Sequence, residues 1–140
     1  MDSARWAIIV HGGAKTIVPE KTEAHRSGCR TAGDAGAAIL RRGGTALDAA
    51  RVAGCHPEDN PIFNAGHGSV ANAASEIEMD AGIMDGETLN VGAVAAVRRL
   101  YNPIEAAAAM LDAPPILLVG EGAEAFARSC GIPSAEAPFA

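Results

Sequence analysis

Aromatic side chains are scarce: one Trp, one Tyr and three Phe account for 4% of the 140 residues. With so few ring anchors, a core has to come from the Ala, Val and Ile that dominate a 49% hydrophobic composition. That suits an alanine-rich α/β layer fold better than a β-sandwich. The length is near the modal size of one domain and allows one core, so residues 1–140 are read as a single domain. Positive charge is also short. Eleven basic against 17 acidic residues give a net charge of −6, and the short pairs Arg41-Arg42 and Arg98-Arg99 lack interleaved aromatics. No nucleic-acid partner is expected, and a neutral or cationic one fits better. The three cysteines, Cys29, Cys55 and Cys130, form no CxxC and leave one over, as expected of reduced thiols in the cytoplasm; Cys55-His56 is the one candidate for a reactive thiol. Long hydrophobic runs are absent, and the apolar stretch in MDSARWAIIVHGG is too short for a signal peptide or a bilayer span, so no membrane partner is expected.

What is present has the order β-α-α-β-β-β-α-β-α. The β-branched run Trp6-Ala7-Ile8-Ile9-Val10 reads as a buried first strand delivering a glycine loop, His11-Gly12-Gly13. Residues 22–42 carry small and apolar side chains at helical spacing, and Gly43-Gly44 supplies the stop. Thr45 is a fitting N-cap for a second helix, which Gly54 and Pro57 are expected to end near residue 54. Acidic and apolar residues alternate from Glu76 to Met84 before the turn signal Asp85-Gly86, predicting a strand paired back on residues 68–72 and forward on 90–97. Pro103 opens a helix to Leu111, residues 116–119 form a further buried strand, and residues 120–129 a last helix. The expected class is α/β (α+β), with a mixed, mostly antiparallel sheet faced by helices.

Four stretches invite a chemical reading. Val119-Gly120-Glu121-Gly122-Ala123-Glu124-Ala125 matches a dinucleotide-binding GxGxxA, but Glu121 and Glu124 would repel a pyrophosphate and only 15 residues follow. Acidic residues complementing a helix dipole are the better reading. His11-Gly12-Gly13 after a strand could offer N–H groups to an oxyanion, yet the GxSxG elbow of an esterase is missing; a tight turn holding a hydrogen-bonded histidine is the alternative. Glu76, Glu78 and Asp80 would share a strand face, where a solvated face outweighs a metal or acid-base site. In Pro61-Ile62-Phe63-Asn64-Ala65-Gly66-His67-Gly68-Ser69-Val70 the glycines let the backbone expose carbonyls able to hold a hard cation. Asn64 there has two open readings: a donor-acceptor for an amide or hydroxyl, or a tie to its own turn.

Six stretches taken together resemble the α portion of the plant-type L-asparaginase/isoaspartyl peptidase family, threonine-type N-terminal nucleophile hydrolases. They are IIVHGGAKTI (8–17), AAILRRGGTALDA (37–49), DNPIFNAGHGSV (59–70), EIEMDAGIMDG (76–86), VGAVAAVRRLYNPIEAA (91–107) and ILLVGEGAEAFAR (116–128), in family order and spacing. The resemblance implies half of an αββα sandwich, the other half being a β subunit whose N-terminal threonine attacks L-asparagine or a β-aspartyl dipeptide, its own amine acting as base. It implies an (αβ)2 heterotetramer with Asn64 as an auxiliary beside the nucleophile and His11, Gly12 and Gly13 as a glycine loop at the substrate. It implies no catalytic cofactor, and a structural sodium ion ringed by the backbone carbonyls of Pro57, Glu58, Asn60, Phe63, Ala65 and His67. The threonine motif, of Gly-Thr-Val-Gly-Ala-Val type, has no match here: its nearest lookalike, Asn90-Val91-Gly92-Ala93-Val94, has asparagine at the needed position. Lys15 stands where the family has glycine, and Ala74-Ser75 where a tight Asp-Gly turn is usual. A chain stopping at Ala140 falls short of the family's usual α-chain tail, so a separately supplied β chain is expected; a non-catalytic pseudo-subunit or truncated member is the alternative.

Overall fold

The computed structural model describes residues 5–137. Seven regular elements follow one another: α1 (Thr22–Arg41), α2 (Ala46–Asp59), β1 (Met79–Met84), β2 (Val91–Val97), α3 (Pro103–Ala109), β3 (Leu117–Val119) and α4 (Gly120–Ser129). The class is α+β, with a mixed sheet as expected. β2 is central, antiparallel to β1 and parallel to β3.

Local chemistry accounts for the helix ends. α1 closes where Gly43 takes φ 80 and the N–H groups of Gly44 and Gly43 donate to Ile39 and Leu40 carbonyls at 3.0 Å, a six-to-one and five-to-two closure. α2 opens on Thr45, whose hydroxyl oxygen accepts the Asp48 N–H at 3.0 Å. Its far end differs from the sequence reading: α2 does not fail near residue 54 but runs through Pro57 to Asp59. Pro57 lies in the last turn, where few helical bonds remain to be lost. Gly54 serves packing: a Cβ there would stand 3.2 Å from Ile104 Cγ1, so the glycine lets α3 approach.

Two expected strands are absent among the described residues. Residues 6–10 form no ladder, because the order β1-β2-β3 places no strand beside them. They run instead along α1 and α2, lining a cavity of about 590 Å³ with Leu40, Ala49 and Ala53, and Ile9 is 95% exposed. Residues 68–72 are likewise not a strand. A turn takes the place of the pairing: the Asn72 N–H donates to the Glu76 carbonyl at 2.8 Å, while Asn72 Oδ1 accepts from Ala74 and Glu76. Ser75 there has φ 60, the left-handed conformation that serine adopts poorly.

The forward pairing is as expected, with Ala81 to Met84 opposite Val94 to Val91. Register shifts between Met79 and Ala81, and Asp80 Oδ1 accepts the Ala96 N–H at 2.8 Å, so this carboxylate mends the irregularity. Glu76 and Glu78 both receive Arg98, at 2.6 and 3.0 Å. The acidic alternation is therefore spent on holding β1 to the end of β2.

Val94, Val97, Leu100 and Met110 form the centre of the core, where β2 meets α3 and α4 through Ala106, Ala123 and Ala127. The helix α4 follows β3 without an intervening loop, and its Glu124 is buried and accepts the Arg98 N–H at 2.8 Å. That carboxylate serves a backbone donor in place of the dipole role read from sequence. No helix is long and apolar enough to cross a membrane among the described residues.

Candidate functional site

Phe63 assembles the site. Its ring is 3% exposed and meets His25 of α1 edge-on, with centroids 5.3 Å apart. A Cβ on Gly28 would come within 2.6 Å of that ring, and one on Gly12 within 3.0 Å of it and 2.7 Å of Cys29 Sγ. Two glycines thus form a slot for one aromatic side chain, which joins the loop after α2 to both α1 and the His11 loop. The sequence reading assigned Phe63 only a carbonyl; the usable signal was a lone ring in an aromatic-poor chain opposite a helical glycine.

The loop after α2 is stitched by its own polar groups. Asn60 Oδ1 accepts the Ile62 N–H at 3.1 Å, and its carbonyl accepts the Phe63 N–H at 3.1 Å. Asn64 Oδ1 accepts the Val70 N–H at 2.9 Å across the turn Gly66–Gly68. One of the two open readings of Asn64 is thereby realised through its oxygen. The oxygen also fixes the side chain's orientation, and the Nδ2 makes no hydrogen bond among the described residues.

Across from it, His11 Nδ1 accepts the Gly13 N–H at 3.3 Å, and Gly13 takes φ 97 with open space above it. His11, Gly12, Gly13, Lys15 and Asn64 line one cavity of about 320 Å³. Of the residues singled out in the sequence, the structure brings the glycine loop and Asn64 together. The cavity lining includes no Ser, Thr or Cys, so it offers an amide, an imidazole and backbone donors but no hydroxyl or thiol nucleophile.

The six carbonyls expected around a cation all belong to the turn-rich segment 57–67. Those of Pro57, Asn60 and Ala65 each accept one N–H, at 3.3, 3.1 and 3.0 Å, and keep a second lone pair. Gly66 and Gly68 pack directly on the carbonyls of Glu58 and Phe63, where any Cβ would collide. Carbonyl oxygens are hard and uncharged, the type of donor that a monovalent cation takes. No group of three or more His, Cys, Asp or Glu side chains able to hold a metal occurs among the described residues.

Beneath this loop, α2 and α3 are joined by charge. Glu58 Oε1 accepts the Ile104 N–H at 3.0 Å, while its Oε2 is buried without a partner. Burial pushes the Glu58 carboxyl up to about 7, the Ile104 N–H opposing the rise. Arg51 Nη1 donates to both Glu105 oxygens at 2.7 and 2.8 Å, and Cys55 Sγ donates to the same carboxylate at 3.3 Å. Burial first, and the Glu105 contact second, push the Cys55 thiol up to about 12. The reactive-thiol reading of Cys55 therefore fails. With iodoacetamide at pH 8, exposed Cys130 is expected to label while Cys55 reacts about a hundredfold more slowly; peptide mass spectrometry over a time course reads the ratio, and equal rates would contradict the burial argument.

With this geometry in view, likeness to known proteins is informative. A family model described as "Asparaginase" matches residues 4–139. An isoaspartyl peptidase/L-asparaginase of Danio rerio is 50% identical over 127 residues, 90% of this chain and 41% of that protein. The Rattus norvegicus protein of the same description is 46% identical over 132 residues, 93% of this chain and 40% of its own length. A plant-type L-asparaginase of Pyrococcus abyssi is 50% identical over 129 residues, 91% of this chain and 42% of that protein. The chain thus spans about two fifths of the length of these curated relatives. Six matching stretches, a glycine loop facing an asparagine and a family match over nearly every residue lead to one conclusion: the chain belongs to the asparaginase family that includes the isoaspartyl peptidases and plant-type L-asparaginases.

Proposed function

We propose that this chain is the α portion of an amidohydrolase that cleaves the side-chain amide of L-asparagine and the isoaspartyl bond of β-aspartyl dipeptides. One observation carries the reading: the His11-Gly12-Gly13 loop and Asn64 face one cavity that holds recognition groups but no hydroxyl or thiol among its lining residues. The nucleophile is then the N-terminal threonine of a β chain, with its own α-amine as base. Asn64, its oxygen held by the Val70 N–H, points its amide donors at a fixed place, as stabilisation of a hydroxyl or of a developing oxyanion requires. Imidazole and glycine N–H groups on the facing loop position the substrate.

The exposed strand-forming surface supports a partner. Residues 6–10 join no ladder, β3 is paired on one side only, and Ile9, Ile116, Leu117 and Val119 are 95%, 64%, 50% and 56% exposed. Unpaired apolar strand edges of this kind invite pairing with further strands. The β half lies there, and two αβ units form the (αβ)2 assembly. The carbonyls of Pro57, Glu58, Asn60, Phe63, Ala65 and His67 would hold a sodium ion, whose positive charge would offset the mutual repulsion of those oxygens.

The test is co-expression with a threonine-led β chain, followed by assay of ammonia from L-asparagine and free aspartate from a β-aspartyl dipeptide. Both products are expected from the assembly and neither from this chain alone. An assembled pair that releases neither overturns the reading.

A further inference from the structure

A second cavity adjoins Asn64. Its volume is about 250 Å³, and its lining includes Glu58, Asn64, Ala65, Ser69, Glu78 and Asp80. Asn64 and Ala65 also line the cavity of the His11 loop, so these two residues form the wall between the two spaces. Three carboxylates and no basic residue line the second one. Glu78 is neutralised by Arg98 at 3.0 Å and held by the Asn72 amide at 2.8 Å. Glu58 and Asp80 form no ion pair among the described residues. Asp80 stands at the exposed rim and gives its Oδ1 to the Ala96 N–H, leaving Oδ2. Glu58 belongs to the floor, being 7% exposed. Its Oε1 accepts the Ile104 N–H next to Pro103, which lines the same cavity, and its Oε2 is buried with no partner. An acceptor buried without a donor is costly, and a donor that carries positive charge answers it best.

We infer that this cavity binds ammonium, the small product ion of amide hydrolysis. The inference rests on the proposed amidohydrolase reading and adds to it a place for the released nitrogen. Hydrolysis of the asparagine side chain frees ammonia, which neutral water protonates to ammonium. That ion brings four N–H donors and one positive charge. The acceptors on offer are Glu58 Oε2, Asp80 Oδ2 and the Ser69 hydroxyl, and the two carboxylates supply the opposite charge. Sodium and potassium bring charge without directed donors, and the carbonyls of residues 57–67 are the oxygens suited to them. A tetraalkylammonium brings charge with no donor at all. Ammonium is thus selected over cations that cannot hydrogen-bond.

The experiment titrates the 15N-labelled 140-residue protein with ammonium chloride at pH 8, tetramethylammonium chloride being withdrawn in step so that ionic strength stays fixed. The amide signals of Ser69, Met79 and Asp80 report on the cavity from outside the carbonyl-bearing segment 57–67. Saturable shifts are expected with ammonium, and potassium in its place binds about fivefold more weakly for want of N–H donors. Glu58→Gln, which sets an amide donor where an acceptor is needed, weakens ammonium about tenfold. Asp80→Asn keeps the oxygen for the Ala96 N–H and, being at the exposed rim, weakens it about threefold. No saturable response, an equal affinity for potassium, or an affinity unchanged in both variants overturns the inference. The two readings fail separately. Hydrolysis by the assembled pair, with a chain indifferent to ammonium, removes this site and leaves the amidohydrolase; ammonium binding without hydrolysis does the reverse.

Discussion

Phe63→Ala is expected to lower the free energy of unfolding by about 3–5 kcal/mol, the largest effect of any single side chain at the site. The ring is 3% exposed and fills the slot between Gly28 and Gly12, whose missing side chains leave nothing that could collapse into the space. Its loss also frees the loop bearing Asn64 from the loop bearing His11, so two parts of the site lose their common anchor. Phe63→Leu retains much of the volume and should cost less, roughly 1.5 kcal/mol or under. Urea unfolding of the two variants beside the parent decides the matter. A Phe63→Ala loss no larger than that of Phe63→Leu would mean that neither the volume of the ring nor its contacts hold the site together.

The second large effect is one of pH. Burial raises the Glu58 carboxyl from 4.5 to about 7 in the folded chain, so the folded state binds this proton more tightly than the unfolded state. The resulting stabilisation is complete below the unfolded value of 4.5 and is lost as pH rises through about 7. Integrated over that window it amounts to about 3 kcal/mol. Glu58→Gln keeps an oxygen for the Ile104 N–H and puts an amide where the unpaired Oε2 lies, so it should flatten the decline. Urea midpoints for both proteins between pH 5 and pH 8 test this. Parallel curves would show that another group supplies the slope.

The side chain of Glu58 illustrates what a sequence conceals. In Cys55-His56-Pro57-Glu58-Asp59-Asn60 a glutamate beside an aspartate reads as solvent-facing, and only the approach of α3 over Gly54 buries it. The same approach explains why α2 outlasts its glycine and proline: local propensities of a few kilocalories are outweighed by a packed interface. Residues 6–10 failed the opposite way. β-branched residues create the capacity for a strand, but a ladder needs a neighbour, and within residues 5–137 that run has none. Signals confined to a few residues were legible, as with Gly43-Gly44 closing α1, Thr45 capping α2 and the alternation before Asp85 that became β1.

The candidate site divides along the same line. Asn64 and His11-Gly12-Gly13 could be picked out because glycines and a single amide among apolar residues have few structural uses. Their convergence could not, since it depends on Phe63, Gly28 and Gly12 meeting across three separate segments. Asn64 itself shows why the functional and structural readings were level in sequence. The bond to Val70 is structural, and by fixing the oxygen it is also what would aim the amide donors at a nucleophile from elsewhere.

The most direct measurement of the central claim is ammonia release from L-asparagine by this chain assembled with a threonine-led β chain, compared with the same assembly carrying Asn64→Ala. The account predicts release by the parent assembly and a fall of about a hundredfold in kcat for Asn64→Ala, the usual cost of one lost oxyanion or hydroxyl donor. An assembly that forms yet releases no ammonia, or one whose rate is indifferent to Asn64, would contradict it.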